Sequence, residues 1–263
     1  MQMRRGWALL AVALLAVGCH QTPVPEGNVV SDAQEPWPLP PVVFRTKMDQ
    51  VELGLWIDPA IQRYPTLHDD LKSDAIARLK RFGAESITER REGEMTDRAP
   101  FDMGVSWAMA GETPRLASVE GYESQYQGGN HPNHWSHSVF WDRVQGRKIA
   151  QEALFRPGSG EALRELLCRR LLSEYQRRDA YMRGESLAEF AHFNCGWGEA
   201  ELSFVLAPAA YGQKAAGVVY LLAQGQGGGY AAGAFRIFVP TAALRPLLAD
   251  AYADQFSENP RRP

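Results

Sequence analysis

Residues 101–107 read FDMGVSW, with an apolar residue at each odd position and a small or polar residue at each even one. Because alternate side chains of a β-strand point to opposite faces, this pattern predicts a strand with one face against a core. Two further strand candidates, Leu116–Tyr126 and 135–141, follow before the next helical pattern. Strands that are such close neighbours in sequence favour antiparallel pairing over the strand–helix–strand units of parallel sheets.

Helical patterns lie on both sides of this group of strands. Pro65 and Thr66 open a first helix, and Gly83 is expected to stop it directly after its last apolar residue, Phe82. The other expected elements are a strand or hairpin at 42–57, a helix at 159–181, strands at 201–207, 217–223 and 234–239, and a short helix at 241–251. The sequence therefore predicts an α+β fold, in which a largely antiparallel sheet packs with two main helices and a short C-terminal helix.

The N-terminus has the features of a bacterial export signal. Two arginines precede an uncharged apolar stretch at 7–17, which is too short to cross a bilayer and is typical of a secretory signal. The stretch ends in LAVGC at 15–19, which resembles the lipobox at which bacteria attach lipid to the cysteine. This resemblance implies a lipoprotein anchored through Cys19. His20, in place of aspartate, implies sorting to the outer membrane, and a plain signal peptide with an incidental cysteine is the alternative.

The domain organisation follows from this signal and from the distribution of proline. Residues 1–18 are interpreted as the signal peptide, and the proline-rich residues 19–41 as a semi-rigid tether. The folded part is divided into an N-terminal half at 42–127 and a C-terminal half at 128–256. Removal of residues 1–18 changes the net charge from −3 to −5, and no basic run occurs, which argues against a nucleic-acid partner.

The other two cysteines, Cys168 and Cys195, form an even pair in an oxidising compartment. We therefore predict a disulfide bond between them. The alternative makes Cys195 a nucleophile with His192 nearby, but no second motif of a cysteine hydrolase accompanies it.

Residues 128–137, GGNHPNHWSH, hold three of the six histidines, which raises the hypothesis of a zinc site. In a strand, residues three positions apart face opposite sides, and Pro132 with the two glycines argues against a helix. A turn with one buried histidine is therefore favoured, and neither a metal nor another cofactor is predicted. The glycine-rich stretch at 225–229 precedes a β-rich segment, so it is interpreted as a connection between strands and not as a phosphate loop.

The same turn carries a resemblance to a bacterial extracytoplasmic family. This family includes the lysozyme-sensing ectodomain of the anti-sigma factor RsiV and the non-catalytic N-terminal region of the peptidoglycan deacetylase PdaC. The resemblance covers roughly residues 42–252. Its motifs, in chain order, are YP at 64–65, SV at 118–119, YQGGNHPN at 126–133, FWD at 140–142, GRKI at 146–149, LF at 154–155, YAAG at 230–233 and VP at 239–240.

The resemblance implies a fold and a role at the cell wall. RsiV signals through a sigma-binding segment and a transmembrane helix, and PdaC acts through a deacetylase domain; no segment here matches either, so neither activity is carried over. What is implied is a non-enzymatic periplasmic lipoprotein that binds an envelope ligand, such as a lysozyme-like protein or peptidoglycan. The candidate binding residues are Asn130, His131, Asn133, His134 and Trp135.

Three alternatives remain open from the sequence. A metal-dependent cell-wall hydrolase would use His131, His134 or Asp142, although only His131 of the clustered histidines falls on the family motif. An immunity protein against a wall-degrading toxin is expected to be encoded beside that toxin. In the third alternative the turn has no binding role, and Trp135 belongs to the core.

Overall fold

The larger of two β-sheets contains six strands that lie side by side in chain order. The computed structural model describes residues 41–93, 99–178, 184–197, 202–208 and 214–257. The predicted signal peptide, the lipidation site Cys19 and residues 19–40 of the tether lie outside these ranges. The six strands are β1 (Val42–Met48), β2 (Val51–Ile57), β3 (Phe101–Glu112), β4 (Leu116–Tyr126), β5 (Asn133–Asp142) and β6 (Arg147–Ile149).

Antiparallel pairing joins all neighbours in this sheet except β2 and β3, which are parallel. β1 and β2 form a hairpin. Residues 42–57 were expected to form either one long strand or a hairpin, and the structure selects the hairpin. Asp49 and Gln50 connect them, with φ angles of 42° and 65°. Two-residue hairpin loops favour this left-handed backbone because its twist matches that of the flanking strands.

Helix α1 (Pro65–Glu92) connects β2 to β3 and buries the predicted apolar stripe against one face of the large sheet. The expectation that Gly83 stops this helix is wrong, because the helix continues to Glu92 and is followed by Gly93. Gly83 instead lies where the helix approaches β2 closely. A Cβ atom at this position would lie 3.2 Å from Leu53 Cδ1, so the missing side chain allows the close approach.

A second sheet of three antiparallel strands packs on the opposite face of the large sheet: β7 (Ser203–Pro208), β8 (Ala215–Leu222) and β9 (Phe235–Pro240). Gly111 lies at a register shift in β3, and a Cβ atom there would lie 2.8 Å from the Leu206 carbonyl oxygen. The fully buried Ser118 accepts a hydrogen bond from the Leu206 N–H at 3.0 Å. The two sheets therefore meet backbone to backbone at Gly111.

Three further helices cover the small sheet: α2 (Gly160–Arg178), α3 (Leu187–Asn194) and α4 (Thr241–Leu244). Helix α3 was not expected, although Ser186 and Glu189 form the capping box that marks its start. Helix α4 is shorter than the expected range 241–251; it ends at Leu244, and Pro246 has no N–H to donate the next hydrogen bond of the helix. Together the elements confirm the predicted α+β class.

The predicted disulfide bond between Cys168 and Cys195 is present, with 5.8 Å between the Cα atoms. It joins α2 to the residue that follows α3. A sulfur atom in a disulfide is not available as a nucleophile, so the alternative role for Cys195 is wrong. Among the described helices, none is both long and apolar enough to cross a membrane.

Candidate functional site

The turn before β5 is held by the segment that precedes β9. The ring of His131 stacks on the ring of Tyr230, with 3.6 Å between the centroids. The Tyr230 hydroxyl donates a hydrogen bond to the Pro132 carbonyl at 2.7 Å. Gly128 and Gly129 have φ angles of 92° and 95°, which a residue with a side chain rarely adopts. The YQGGNHPN motif at 126–133 and the YAAG motif at 230–233 are therefore in contact, although they are about 100 residues apart in sequence.

Strand β5 divides the predicted binding residues between the two faces of the large sheet. Asn133 and Trp135 lie on the α1 side, opposite Gln125 and Glu123 of β4, whereas His134 lies on the other side. Asn130, His131 and Asn133 are exposed, and His134 is half-buried. Trp135 is 39% exposed, which contradicts the alternative that it belongs to the core.

The side of the sheet that carries His134 has an exposed area of aromatic and small residues, which we call the sheet face. It consists of Gly54, Trp56, Gly104, Ser106, Tyr122 and His134. Trp56 and Tyr122 are 38% and 43% exposed and lie on β2 and β4, with Ser106 of β3 between them. Gly54 pairs with Gly104 in the next row, and no atom lies within 4 Å of a Cβ built at either glycine. The sheet face is thus a shallow trough with two aromatic side chains along one edge.

His134 connects the sheet face to the turn. Its Nδ1 lies 2.6 Å from the Tyr122 hydroxyl, and the two rings stack with centroids 5.5 Å apart. Partial burial, and then the neighbouring Tyr230 phenol, raise the pKa of Tyr122. Tyr122 therefore remains a neutral hydrogen-bonding group at physiological pH.

His137 lies apart from the other two clustered histidines, on the α1 side of β5. Its Nε2 is 3.8 Å from Glu123 Oε2, and Glu123 also forms an ion pair with Arg78 of α1. Burial, and then the Arg78 guanidinium, lower the pKa of His137 despite the opposing effect of Glu123. Within the described ranges, no group of three or more His, Cys, Asp or Glu side chains is arranged to hold a metal ion.

Asp142, a candidate for the hydrolase alternative, is fully buried and its oxygen atoms are occupied. Its carboxylate accepts hydrogen bonds from the N–H groups of Val144 and Gln145 and from Arg115 Nε, at 2.9–3.0 Å. Burial alone would raise the pKa of this carboxyl, but the Gln145 N–H and the Arg115 guanidinium outweigh burial and lower it. This geometry fits a residue that fixes the β5–β6 turn.

Sequence reasoning did not identify Trp56 or Tyr122 as candidate site residues. A signal for Trp56 was present: in β2 the residues Glu52, Gly54 and Trp56 share one face, opposite the buried Leu53 and Leu55. A tryptophan on the polar side of an alternating strand is exposed apolar surface, which is characteristic of binding sites. Tyr122 gave no comparable signal, because its exposure depends on how far the small sheet extends over β4.

The comparisons with known proteins identify the fold. The sequence matches no known protein-family model and no curated protein. The structure is similar to a DUF3298 family protein from Pseudomonas aeruginosa PAO1, with 15% identity and a TM-score of 0.50 over 86% of this chain and 98% of that chain. It is also similar to a DUF3298 family member from Bacteroides fragilis NCTC 9343, with 12% identity and a TM-score of 0.57 over 84% and 97% of the two chains. The chain therefore has the fold of a domain of unknown function.

Proposed function

We propose that the protein is a non-enzymatic, outer-membrane lipoprotein of the RsiV-like and PdaC N-terminal type, whose periplasmic domain binds an envelope ligand. The ligand is a lysozyme-like protein or peptidoglycan, and the binding surface is the sheet face together with the turn at 128–132. One observation carries the proposal: His131 and Tyr230 hold the turn beside the trough, and the aromatic rings of Trp56 and Tyr122 are exposed along it.

The chemistry of this surface supports binding. Tryptophan and tyrosine contribute large contact areas at low cost in side-chain entropy, and they are enriched among residues that dominate binding energy. Ser106 and His134 add hydrogen-bonding groups beside the rings. The two glycines leave the backbone open to a ligand that lies flat across the strands.

The charges at the end of the sheet face nearest the β1–β2 turn are of both signs. Glu52 and Asp102 are neighbours on β2 and β3, and Lys47 pairs with Glu52 at 2.7 Å. Burial, and then the Glu52 carboxylate, raise the pKa of Asp102. Arg45 lies opposite Gly54 on the same side, so two basic and two acidic residues line this end, and it suits a partner that carries charges of both signs.

The test is a titration of the purified protein with lysozyme and a separate pull-down with peptidoglycan, both at physiological salt. We expect saturable binding of one of them, weakened at least tenfold by Trp56→Ala. The matched control is Phe193→Ala, which removes a 79% exposed aromatic residue from α3. Failure of both ligands to bind, or equal loss in the two variants, would contradict the proposal.

The anchor requires a separate test. The lipoprotein prediction expects Cys19→Ser to abolish incorporation of labelled palmitate and to release the protein from the outer-membrane fraction. Unchanged fractionation of Cys19→Ser would show that the cysteine is incidental.

A further inference from the structure

A cavity of about 800 Å³ lies between the start of α2 and the small sheet. It shares no lining residue with the sheet face or the turn. Its apolar wall includes Phe155, Leu163, Trp197, Leu202 and Phe204. A ligand in this cavity must therefore have an apolar body.

Tyr220 of β8 lines the cavity beside Phe204, its partner in the strand register, with ring centroids 5.2 Å apart. Only 4% of Tyr220 is exposed, and its hydroxyl makes no hydrogen bond with a described residue; the hydroxyl oxygen itself is not sealed off and opens to the cavity. Burial raises the pKa of this phenol, so it stays protonated and can donate. The hydroxyl is therefore positioned to bond to water or to a polar group of a ligand in the cavity.

Ser159 provides a second unpaired hydroxyl in the same wall. The residue is 8% exposed, and its side chain makes no hydrogen bond within the described part of the chain. Its carbonyl accepts the first helical hydrogen bond of α2, from the Leu163 N–H at 2.9 Å. The N–H groups that follow Ser159 have no partner within the helix, and the helix dipole favours negative charge there.

Charged side chains of both signs line the cavity, with one more unpaired carboxylate than unpaired cation among the described residues. Arg156 is paired with Asp250, and Arg164 forms no ion pair with any residue that the structure describes. Glu152 and Glu161 also line the cavity. An anion would be held here by the N–H groups at the start of α2, the two hydroxyl donors and Arg164, against the repulsion of Glu152 and of Glu161 in the first turn of α2.

We propose that this cavity binds a small carboxylic acid with an apolar body. The carboxylate oxygens accept hydrogen bonds from Ser159, Tyr220 and the N–H groups at the start of α2. The apolar body lies against Phe155 and Phe204. Such a carboxylate belongs to a fatty acid or to the C-terminus of a short peptide, and the two sources are separated by the choice of probe.

The experiment is isothermal titration calorimetry of the full protein with decanoate, with N-acetylphenylalanine and with the methyl ester of each acid. We expect one acid to bind at one site per chain, and its ester at least tenfold more weakly because the ester carries no charge. Tighter binding of decanoate assigns the site to fatty acids, and tighter binding of N-acetylphenylalanine assigns it to peptide termini. Absence of binding by both acids, or equal binding of acid and ester, would overturn the proposal.

Conservative variants locate the site. Tyr220→Phe removes only the hydroxyl and is expected to weaken binding of the acid about tenfold, as is Ser159→Ala, since each loses a hydrogen bond to a charged group. Tyr64→Phe, which removes a phenol hydroxyl outside both the cavity and the sheet face, is the control and is expected to keep wild-type affinity. Because the Tyr220 hydroxyl has no described partner, Tyr220→Phe should unfold at the same urea concentration as the wild type. Wild-type affinity in both cavity variants would show that the acid binds elsewhere.

Discussion

The ring of His131 lies 3.6 Å from the ring of Tyr230, and this contact joins the turn before β5 to the segment before β9. Each segment carries a short sequence motif, and neither motif by itself predicts the other. Their contact brings the Pro132 carbonyl within hydrogen-bond distance of the Tyr230 hydroxyl and fixes the turn beside the sheet face. The relationship gives the first of four predictions.

Tyr230→Ala should remove both the stacking contact and the hydrogen bond to the Pro132 carbonyl. Tyr230→Phe should remove only the hydrogen bond, which contributes about 1 kcal/mol to the free energy of unfolding. We expect Tyr230→Ala to cost about 1 kcal/mol more than Tyr230→Phe, because aromatic pairs contribute a similar amount. Urea denaturation measures both. Equal costs would show that the stacking contact is not stabilising.

Arg78→Ala should destabilise the fold by about 3 kcal/mol, because it leaves the Glu123 carboxylate, 9% exposed, without its ion partner. Adding Glu123→Gln should restore part of the loss by removing the unpaired charge. The control is Arg91→Ala in the exposed pair with Asp49, which should cost less than about 1 kcal/mol. If Arg78→Ala lowered the free energy of unfolding no more than Arg91→Ala, hydration by water would be replacing the ion pair of the Glu123 carboxylate.

His137 should make the stability depend on pH. Its folded pKa is lowered from 6.5, so as the pH falls below about 6.5 the unfolded chain takes up a proton before the folded protein does. The free energy of unfolding therefore falls with pH in this range, while above it both states are neutral and the contribution is constant. His137→Gln should flatten the profile between about pH 7 and 5, and the exposed His192→Gln serves as the control. An unchanged slope in His137→Gln would assign the pH dependence to other groups.

Loss of the disulfide bond should lower stability by about 3–4 kcal/mol in the chain-entropy model, since Cys168 and Cys195 are 27 residues apart. The double variant Cys168→Ala/Cys195→Ala avoids leaving one free thiol. Guanidinium denaturation of this variant, beside the wild type with and without reductant, measures the effect. Reductant should lower the denaturation midpoint of the wild type and leave that of the double variant unchanged.

Local patterns predicted most strands and both main helices, because alternation and helical spacing are properties of a few neighbouring residues. The end of α1 was missed for a different reason. Gly83 has the local signature of a helix stop, but its role is to let the helix approach Leu53, which is 30 positions away in sequence. Tertiary packing overrides local propensity in such cases.

The candidate site was only partly predictable. The turn residues Asn130 and His131 were identified from their motif, both are exposed, and their binding role stays a prediction. The trough could not be predicted, because it depends on the parallel register that places Gly54 beside Gly104. Nothing in either strand's sequence indicates the pairing of these two glycines.

The parallel pairing of β2 with β3 also has a consequence for the order of folding. The β1–β2 hairpin and the meander of β3 to β6 each consist of contacts between sequence neighbours, and such contacts form quickly. The two parts join only across the chain segment that contains α1, so closing this long loop should limit the folding rate. A chain that emerges N-terminus first during synthesis would hold the hairpin and α1 with their apolar faces uncovered until β3 arrives. We therefore expect this interval to be the time at which the folding chain most needs a chaperone.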